Sequence, residues 1–473
     1  MAHSTYYKAQ TRCSEMAPNS ESDPLQDVEI VEPAVEGPSQ VLLEKGSEAG
    51  VVESSWSWLV CFAAFVILLI IGGINNSSAL VYTQLLERYN KDRSDTAWVT
   101  SLASSLAHTF SILATYLCQA FGCRRIALAS GVLCASALVC SAYSPSLKLL
   151  YLSYGVVFGL GSCLGLISSL LVIPQYFGQR LGLAVALSQL GSPVGVLVIS
   201  SLMRYLFRTV GYRVTMVALA CAQLLVVAGG ITFRPVSTLE SDKTIEQPVK
   251  PKATRSRTMS VFKNMRFVIW LFSLFIFIPA LLIPVVHLIR LAQDRGVSVY
   301  NSSFLLYFIA ITSAVTRPIM GRLSDWCPSG RVLIIQVALI LMSLANILVP
   351  QAASFASLSV YACAYGTFDG CLWTMMYTIT FDIVGKDQFP TAVGWLLFLI
   401  SFPEVAGPPL AGWIFDVSKS YSVAFYISGG IMTFSAVAML PLHSKLACLR
   451  ENGSIQEEEQ ILEISPVSRD LAS

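Results

Sequence analysis

Gly321-Arg322-Leu323-Ser324-Asp325-Trp326, followed by Gly330-Arg331, is a charged, glycine-punctuated turn between two apolar runs. Each run is long enough to cross a bilayer, so the turn fits a short cytoplasmic link between two transmembrane helices. A weaker copy, Phe121-Gly122-Cys123-Arg124-Arg125, occupies the equivalent place in the first half of the chain. Two related turns about two hundred residues apart mark a duplicated membrane unit.

Composition agrees with that reading. The 473 residues are 54% hydrophobic and only 13% charged, whereas a soluble chain carries about a quarter charged residues. A net charge of +2 gives no bulk electrostatic attraction to nucleic acid. The 12 cysteines are scattered without C-x-x-C spacing, and most lie in apolar runs: Cys61, Cys134, Cys140, Cys163, Cys221, Cys363 and Cys371. They read as small buried hydrophobes rather than as disulfides or metal ligands. Walker glycines, Ser-His-Asp spacing and metal clusters are missing from the sequence, so nothing calls for a covalent step or a cofactor.

Apolar runs begin near Trp58, Trp98, Ile126, Leu149, Leu181 and Val214, and again near Phe267, Ser303, Val332, Leu358, Thr391 and Val423. That predicts about twelve transmembrane helices, six on each side of a long polar loop. The expected organisation is a cytoplasmic N-terminal tail over 1–55 and a six-helix bundle over 56–233. A linker follows over 234–266, then a second bundle over 267–442 and a C-terminal tail over 443–473. Residues 1–50 have no basic start before a short apolar core, so they read as a disordered tail rather than a signal peptide. The linker holds Arg234, Lys243, Lys250, Lys252, Arg255, Arg257, Lys263 and Arg266, and the even-numbered turns hold Arg124, Arg125, Arg180, Arg322, Arg331 and Lys386. These fall on one face if both termini are cytoplasmic. Arg88, Lys91, Arg93, Arg204, Arg208 and Arg213 fall on the other, so the asymmetry is incomplete. Spans five and eleven resemble one another, each opening after a polar turn and carrying glycines around a mid-span proline (Pro193; Pro408-Pro409). Duplicated units with glycine-rich helices suit a carrier whose halves rock.

An Asp or Arg at mid-bilayer costs about 2.5–3.5 kcal/mol on insertion scales, so each needs a reason. The chain has few: Arg317 in span eight, Asp369 in span ten and Glu404 in span eleven. His108 lies in span two and His287 near the outer end of span seven. Arg317 and Asp369 either neutralise each other, or Arg317 faces a cavity and takes a substrate carboxylate in its planar fork. His287 is either an interfacial histidine without a role or a hydrogen-bond partner for substrate, and His108 is read in the same way. Glu404 is either a partner for a cation or a proton carrier. Gly321, Arg322, Asp325, Arg331, Arg124 and Arg180 are the candidates for conformational gating.

Two stretches then resemble a known family, the monocarboxylate transporters (solute carrier family 16) of the major facilitator superfamily. Before span one the chain reads Glu53-Ser54-Ser55-Trp56-Ser57-Trp58, with serines where the family has glycines. At span five it reads Tyr176-Phe177-Gly178-Gln179-Arg180-Leu181-Gly182-Leu183-Ala184, continuing to Gly191-Ser192-Pro193-Val194-Gly195. The resemblance covers roughly 53–443. It implies a lysine in span one and an aspartate in span eight for proton-coupled lactate carriers; here those positions are Asn76 and Ser313. The chain is more similar to the thyroid-hormone and aromatic amino-acid branch. It shares Gly73-Ile74-Asn75-Asn76, Val286-His287-Leu288, Phe368-Asp369-Gly370-Cys371 and Ala406-Gly407-Pro408-Pro409-Leu410-Ala411-Gly412 with that branch. By resemblance, Arg317, His287, Asp369 and Asn76 bind substrate, and transport is facilitated diffusion at the plasma membrane. Glu404 departs from the branch, which is apolar there, and leaves proton coupling as the alternative. A non-transporting scaffold with the same fold is the second alternative. Some family members are assisted by a single-span accessory glycoprotein.

Overall fold

Hydrocarbon offers no water to satisfy loose amides, so an apolar chain that crosses it must close its hydrogen bonds within each segment. The computed structural model accordingly builds helices and no strand among its described residues. These are 54–89, 92–234, 260–352, 354–418 and 421–442. Most of the expected tails and of the expected linker, with its Thr254, Ser256 and Thr258, lies outside them.

In chain order the helices are α1 (Ser55–Asn76), α2 (Ser78–Tyr89), α3 (Arg93–Thr109), α4 (Ser111–Phe121) and α5 (Cys123–Ala142). Next come α6 (Leu147–Tyr176), α7 (Leu181–Thr209, with a pause at Leu190) and α8 (Gly211–Thr232). The second half holds α9 (Met265–Asp294), α10 (Val299–Trp326) and α11 (Arg331–Leu348). It ends with the two arms of Phe355–Ser418, named α12 and α13, and with α14 (Tyr421–Ala438). The arms meet at Gly385, whose φ of 73° lies in the left-handed region. Glycine tolerates that conformation without a Cβ clash. Within α6, Tyr151–Phe158 is π-helical, a local widening that often marks functional helices.

Eight helical stretches among the described residues are long and apolar enough to cross a membrane, and α4 and the Met265–Leu281 part of α9 are shorter apolar helices. The apolar run beginning near Trp98 is not one uninterrupted helix. It is broken at Phe110 into α3 and α4, whose 17 and 11 residues are each short of a full crossing. The cysteine reading also needs correction, because Cys140 and Cys221 are exposed on the helical surface while Cys61, Cys134, Cys163 and Cys371 are buried. An apolar run in a membrane protein has one side facing lipid, so apolar context does not place a side chain in the protein core.

Close backbone approach explains where the glycines fall. A methyl group on Gly195 of α7 would lie 2.2 Å from the carbonyl oxygen of Leu69 on α1. One on Gly366 of α12 would lie 2.3 Å from the Ile309 carbonyl of α10. Only glycine permits these helix pairs, which are among the most extensive in the molecule. α1 also packs on α8, and α5 on α6 and α8; α9 packs on α12 and α14, and α11 on α14. Two seams join the earlier helices to the later ones: α7 against α10, and α3 with α4 against α13.

Candidate substrate site and its gate

Arg317 stands on α10 next to Pro318, four residues before Gly321, and is only 5% exposed. Its Nη1 donates to the main-chain oxygen of Gln189 on α7 at 2.5 Å. Its Nε donates to Ser313 Oγ at 3.4 Å, one turn back on its own helix. Its Nη2 lies 3.7 Å from Asp369 Oδ2 on α12. Asp369 has closer partners: Ser313 Oγ donates to Oδ2 at 2.8 Å and Trp373 Nε1 donates to Oδ1 at 3.0 Å. Tyr377, one turn further along α12, is buried beside this group.

The two charges therefore face each other without the short double contact typical of an Arg–carboxylate fork, about 2.7–2.9 Å per bond. Asp369 is satisfied by neutral donors, and the guanidinium is satisfied in part by a neutral carbonyl from the opposite half. The helix α7 covers the guanidinium, so it does not face open solvent in this conformation. Sequence reasoning found Arg317 and Asp369 as lone charges in apolar runs. It missed Gln189, because a main-chain acceptor leaves no mark on residue type.

The other candidates fall elsewhere. Asn76 sits exposed at the end of α1, where its Nδ2 donates to Gly72 O at 2.9 Å and lies 3.4 Å from Ser192 Oγ. It joins α1 to α7 rather than to Arg317. His287 is half-buried on α9, and the contacts of Arg317 and Asp369 run to other residues. Glu404 is brought to His108, with Oε2 3.0 Å from Nδ1. The pair spans the α3–α13 seam. Along the same seam Thr109 Oγ1 donates to Ser401 Oγ at 3.3 Å, and Ser111 Oγ donates to Gly394 O at 2.8 Å.

The charged turn at Gly321 joins the α7–α10 seam. Oδ1 and Oδ2 of Asp325 accept from the backbone amides of Gly182 at 2.7 Å and Leu183 at 2.9 Å. These are first-turn amides of α7, which have no partner within their own helix. A carboxylate from one half thus caps a helix of the other, and the positive end of the helix dipole adds to the attraction. A methyl group on Gly182 would lie 2.9 Å from Gly321 O, and one on Gly321 would lie 2.8 Å from Gly182 O. The two glycines let the backbones close enough for the cap to form. Behind the cap, Arg331 Nη1 donates to both oxygens of Asp382 at 2.5 and 2.7 Å, and its Nε donates to Ser324 O at 3.0 Å. Asp382 was not among the sequence candidates, although an acid at the end of an apolar run opposite an arginine-bearing turn is a usable signal. Arg322 lies over the Trp326 ring at 5.1 Å. Arg124 and Arg180 are exposed, and the cap is built from Asp325 instead.

A carboxylate cap joins the two halves along the α7–α10 seam, and a buried guanidinium lies within that seam. The chain belongs to the major facilitator superfamily, whose family model matches residues 60–363 and 280–447, and it is a multi-pass membrane transporter acting on a small molecule. Within that superfamily it is of the monocarboxylate-transporter kind. It is 30% identical to Monocarboxylate transporter 10 of Rattus norvegicus over 411 residues, 83% of this chain and 80% of that protein. It is 29% identical to Monocarboxylate transporter 10 of Homo sapiens over 435 residues, covering 88% and 84%. Against Monocarboxylate transporter 6 of Mus musculus it is 28% identical over 443 residues, covering 89% and 94%. In fold it is similar to the crystal structure of the human organic anion transporter MFSD10 (TETRAN), with a TM-score of 0.63 and 15% identity, covering 81% of this chain and 99% of that one.

Proposed function

We propose that the protein carries a small carboxylate-bearing solute, a monocarboxylate or an aromatic amino acid, across the plasma membrane by alternating access. In this reading residues 56–233 and 267–442 form two six-helix bundles, the chain crosses twelve times, and both termini are cytoplasmic. The observation that carries it is the state of Arg317. Its counter-ion is 3.7 Å away and already held by Ser313 and Trp373, and one of its strong donors is spent on a carbonyl of α7. Opening the α7–α10 seam withdraws that carbonyl and leaves a planar cationic donor set for a carboxylate. Substrate binding then replaces a neutral contact by a charged one, which favours the loaded carrier. His287 and Asn76 are proposed to line the path on α9 and α1. No covalent step is needed, and transport is facilitated diffusion.

The test is uptake by cells expressing Arg317→Ala, screened with aromatic amino acids, iodothyronines, lactate, pyruvate and ketone bodies. Uptake is lost while surface biotinylation is unchanged. Removing one partner of a buried pair is destabilising by about 3–5 kcal/mol, so the double variant Arg317→Ala/Asp369→Asn is the control for folding. It also reaches the surface and shows no uptake, which separates loss of binding from loss of folding. Normal uptake by either variant overturns the assignment.

The His108–Glu404 pair supports a second reading, proton-coupled symport. It joins two titratable groups across a seam that must part during the cycle. That reading requires uptake to rise between about pH 8 and about pH 6 and the rise to vanish in Glu404→Gln. Uptake that is flat with pH excludes it.

A further inference from the structure

A cleft of about 500 Å³ opens along the α4–α13 seam. Its size suits a small molecule or one chain of an amphiphile. Phe110, Leu113, Tyr116 and Phe398 supply its apolar wall, and the first three are 37%, 49% and 57% exposed. Two polar atoms on the same cleft are buried without a hydrogen-bond partner: Thr115 Oγ1 and Trp395 Nε1. Thr115 itself is only 4% exposed. Leaving such a donor unpaired costs about 1–3 kcal/mol, so two together point to a missing acceptor.

The register of the seam places the charged end. His108 meets Glu404, Thr109 meets Ser401, and Ser111 meets Gly394. The helices are antiparallel, so the end of α4 lies beside the start of α13. Arg124 and Arg125 follow α4, and Lys386 opens α13, all exposed, near Asp387 and near Asp382, which is already paired with Arg331. A groove with apolar walls, two orphaned donors partway along it and a cationic end has the pattern of a glycerophospholipid: acyl chain, ester carbonyls and phosphate. We propose that this cleft is a binding site for one anionic phospholipid of the cytoplasmic leaflet, with Trp395 and Thr115 donating to its ester oxygens. The lipid lies across the seam and braces α4 against α13 in the closed arrangement.

The full-length protein, purified in mild detergent and exchanged with mixed phosphatidylserine and phosphatidylcholine, is examined by native mass spectrometry. One phosphatidylserine is expected to be retained per chain. Retention falls by about tenfold in Thr115→Val/Trp395→Phe, which keeps the packing and removes both donors. Leu113→Trp, at an exposed position, fills the groove and abolishes retention in a protein whose thermal melting is otherwise unchanged. Arg124→Gln/Arg125→Gln/Lys386→Gln removes the preference for phosphatidylserine over phosphatidylcholine, and inorganic phosphate does not displace the lipid. The proposal is overturned if wild type retains no phospholipid, or if retention survives both Leu113→Trp and the donor variant. It is also overturned if the retained mass is that of a transported solute. None of these readouts depends on transport, so failure here is distinguishable from failure of the Arg317 assignment.

Discussion

Trp373 and Ser313 decide how freely Arg317 works. Both donate to Asp369, and together they spread its charge over neutral partners. Trp373→Phe removes the indole N–H and keeps most of the ring. Asp369 then keeps only the Ser313 hydroxyl, at 2.8 Å, and its freed oxygen is left to draw on Arg317, 3.7 Å away. The expected outcome is a KM for carboxylate uptake raised several-fold at unchanged surface level, measured by concentration-dependent uptake; a lowered KM contradicts the arrangement. Asp382→Asn acts on a different residue pair, the short contacts to Arg331. Losing a charge-assisted contact of this kind costs about 2 kcal/mol, so the detergent-solubilised protein melts at lower temperature while KM stays the same. Residue type alone revealed Arg317, Asp369 and Glu404, because charges in hydrocarbon are costly enough to be conspicuous. It gave no sign that Glu404 meets His108. Partners on this seam lie far apart in sequence, 292 residues in the case of Thr109 and Ser401, and no local pattern records such an encounter.

Among the helices, α7 and α10 form the contact most exposed to test. Asp325 supplies to α7 the cap that its own Arg180 does not, with no side-chain bond from Arg180 to the first turn. Asp325→Asn keeps the shape and removes the charge at the positive end of the helix, a loss of about 0.5–2 kcal/mol. The amides of Gly182 and Leu183 are then expected to exchange with deuterium several-fold faster, read by hydrogen-exchange mass spectrometry. Gly321→Val goes further, since its Cβ alone would lie 2.4 Å from Ala186 Cβ and 2.8 Å from Gly182 O. The seam cannot close around it, and the same amides lose protection entirely. Unchanged protection in both variants means the cap does not hold the seam. The Gly-rich charged turn at Gly321 was visible in the sequence, as was its weaker copy at Gly122. Which helix the aspartate would cap was not, because first-turn amides carry no sequence signature of their own.

For the whole molecule, positive charge gathered in the linker and even-numbered turns argues for termini on the cytoplasmic side. Epitope tags at residue 1 and after residue 473 are therefore expected to bind antibody only in permeabilised cells, whereas a tag seen on intact cells reverses the topology. The all-helical architecture was readable from apolar run lengths. The interruption at Phe110 was less so, since Ala107, His108, Thr109 and Phe110 contain no helix breaker. The elbow at Gly385 has a mechanical meaning of its own. No flexible loop separates the arm bearing Asp369 from the arm bearing Glu404 and Trp395. A tilt imposed on either arm reaches the other through Gly385 alone. Whatever grips α13 at the membrane flank therefore has leverage over the anion beside Arg317, and lengthening that corner with inserted glycines should uncouple the two like a slackened hinge pin.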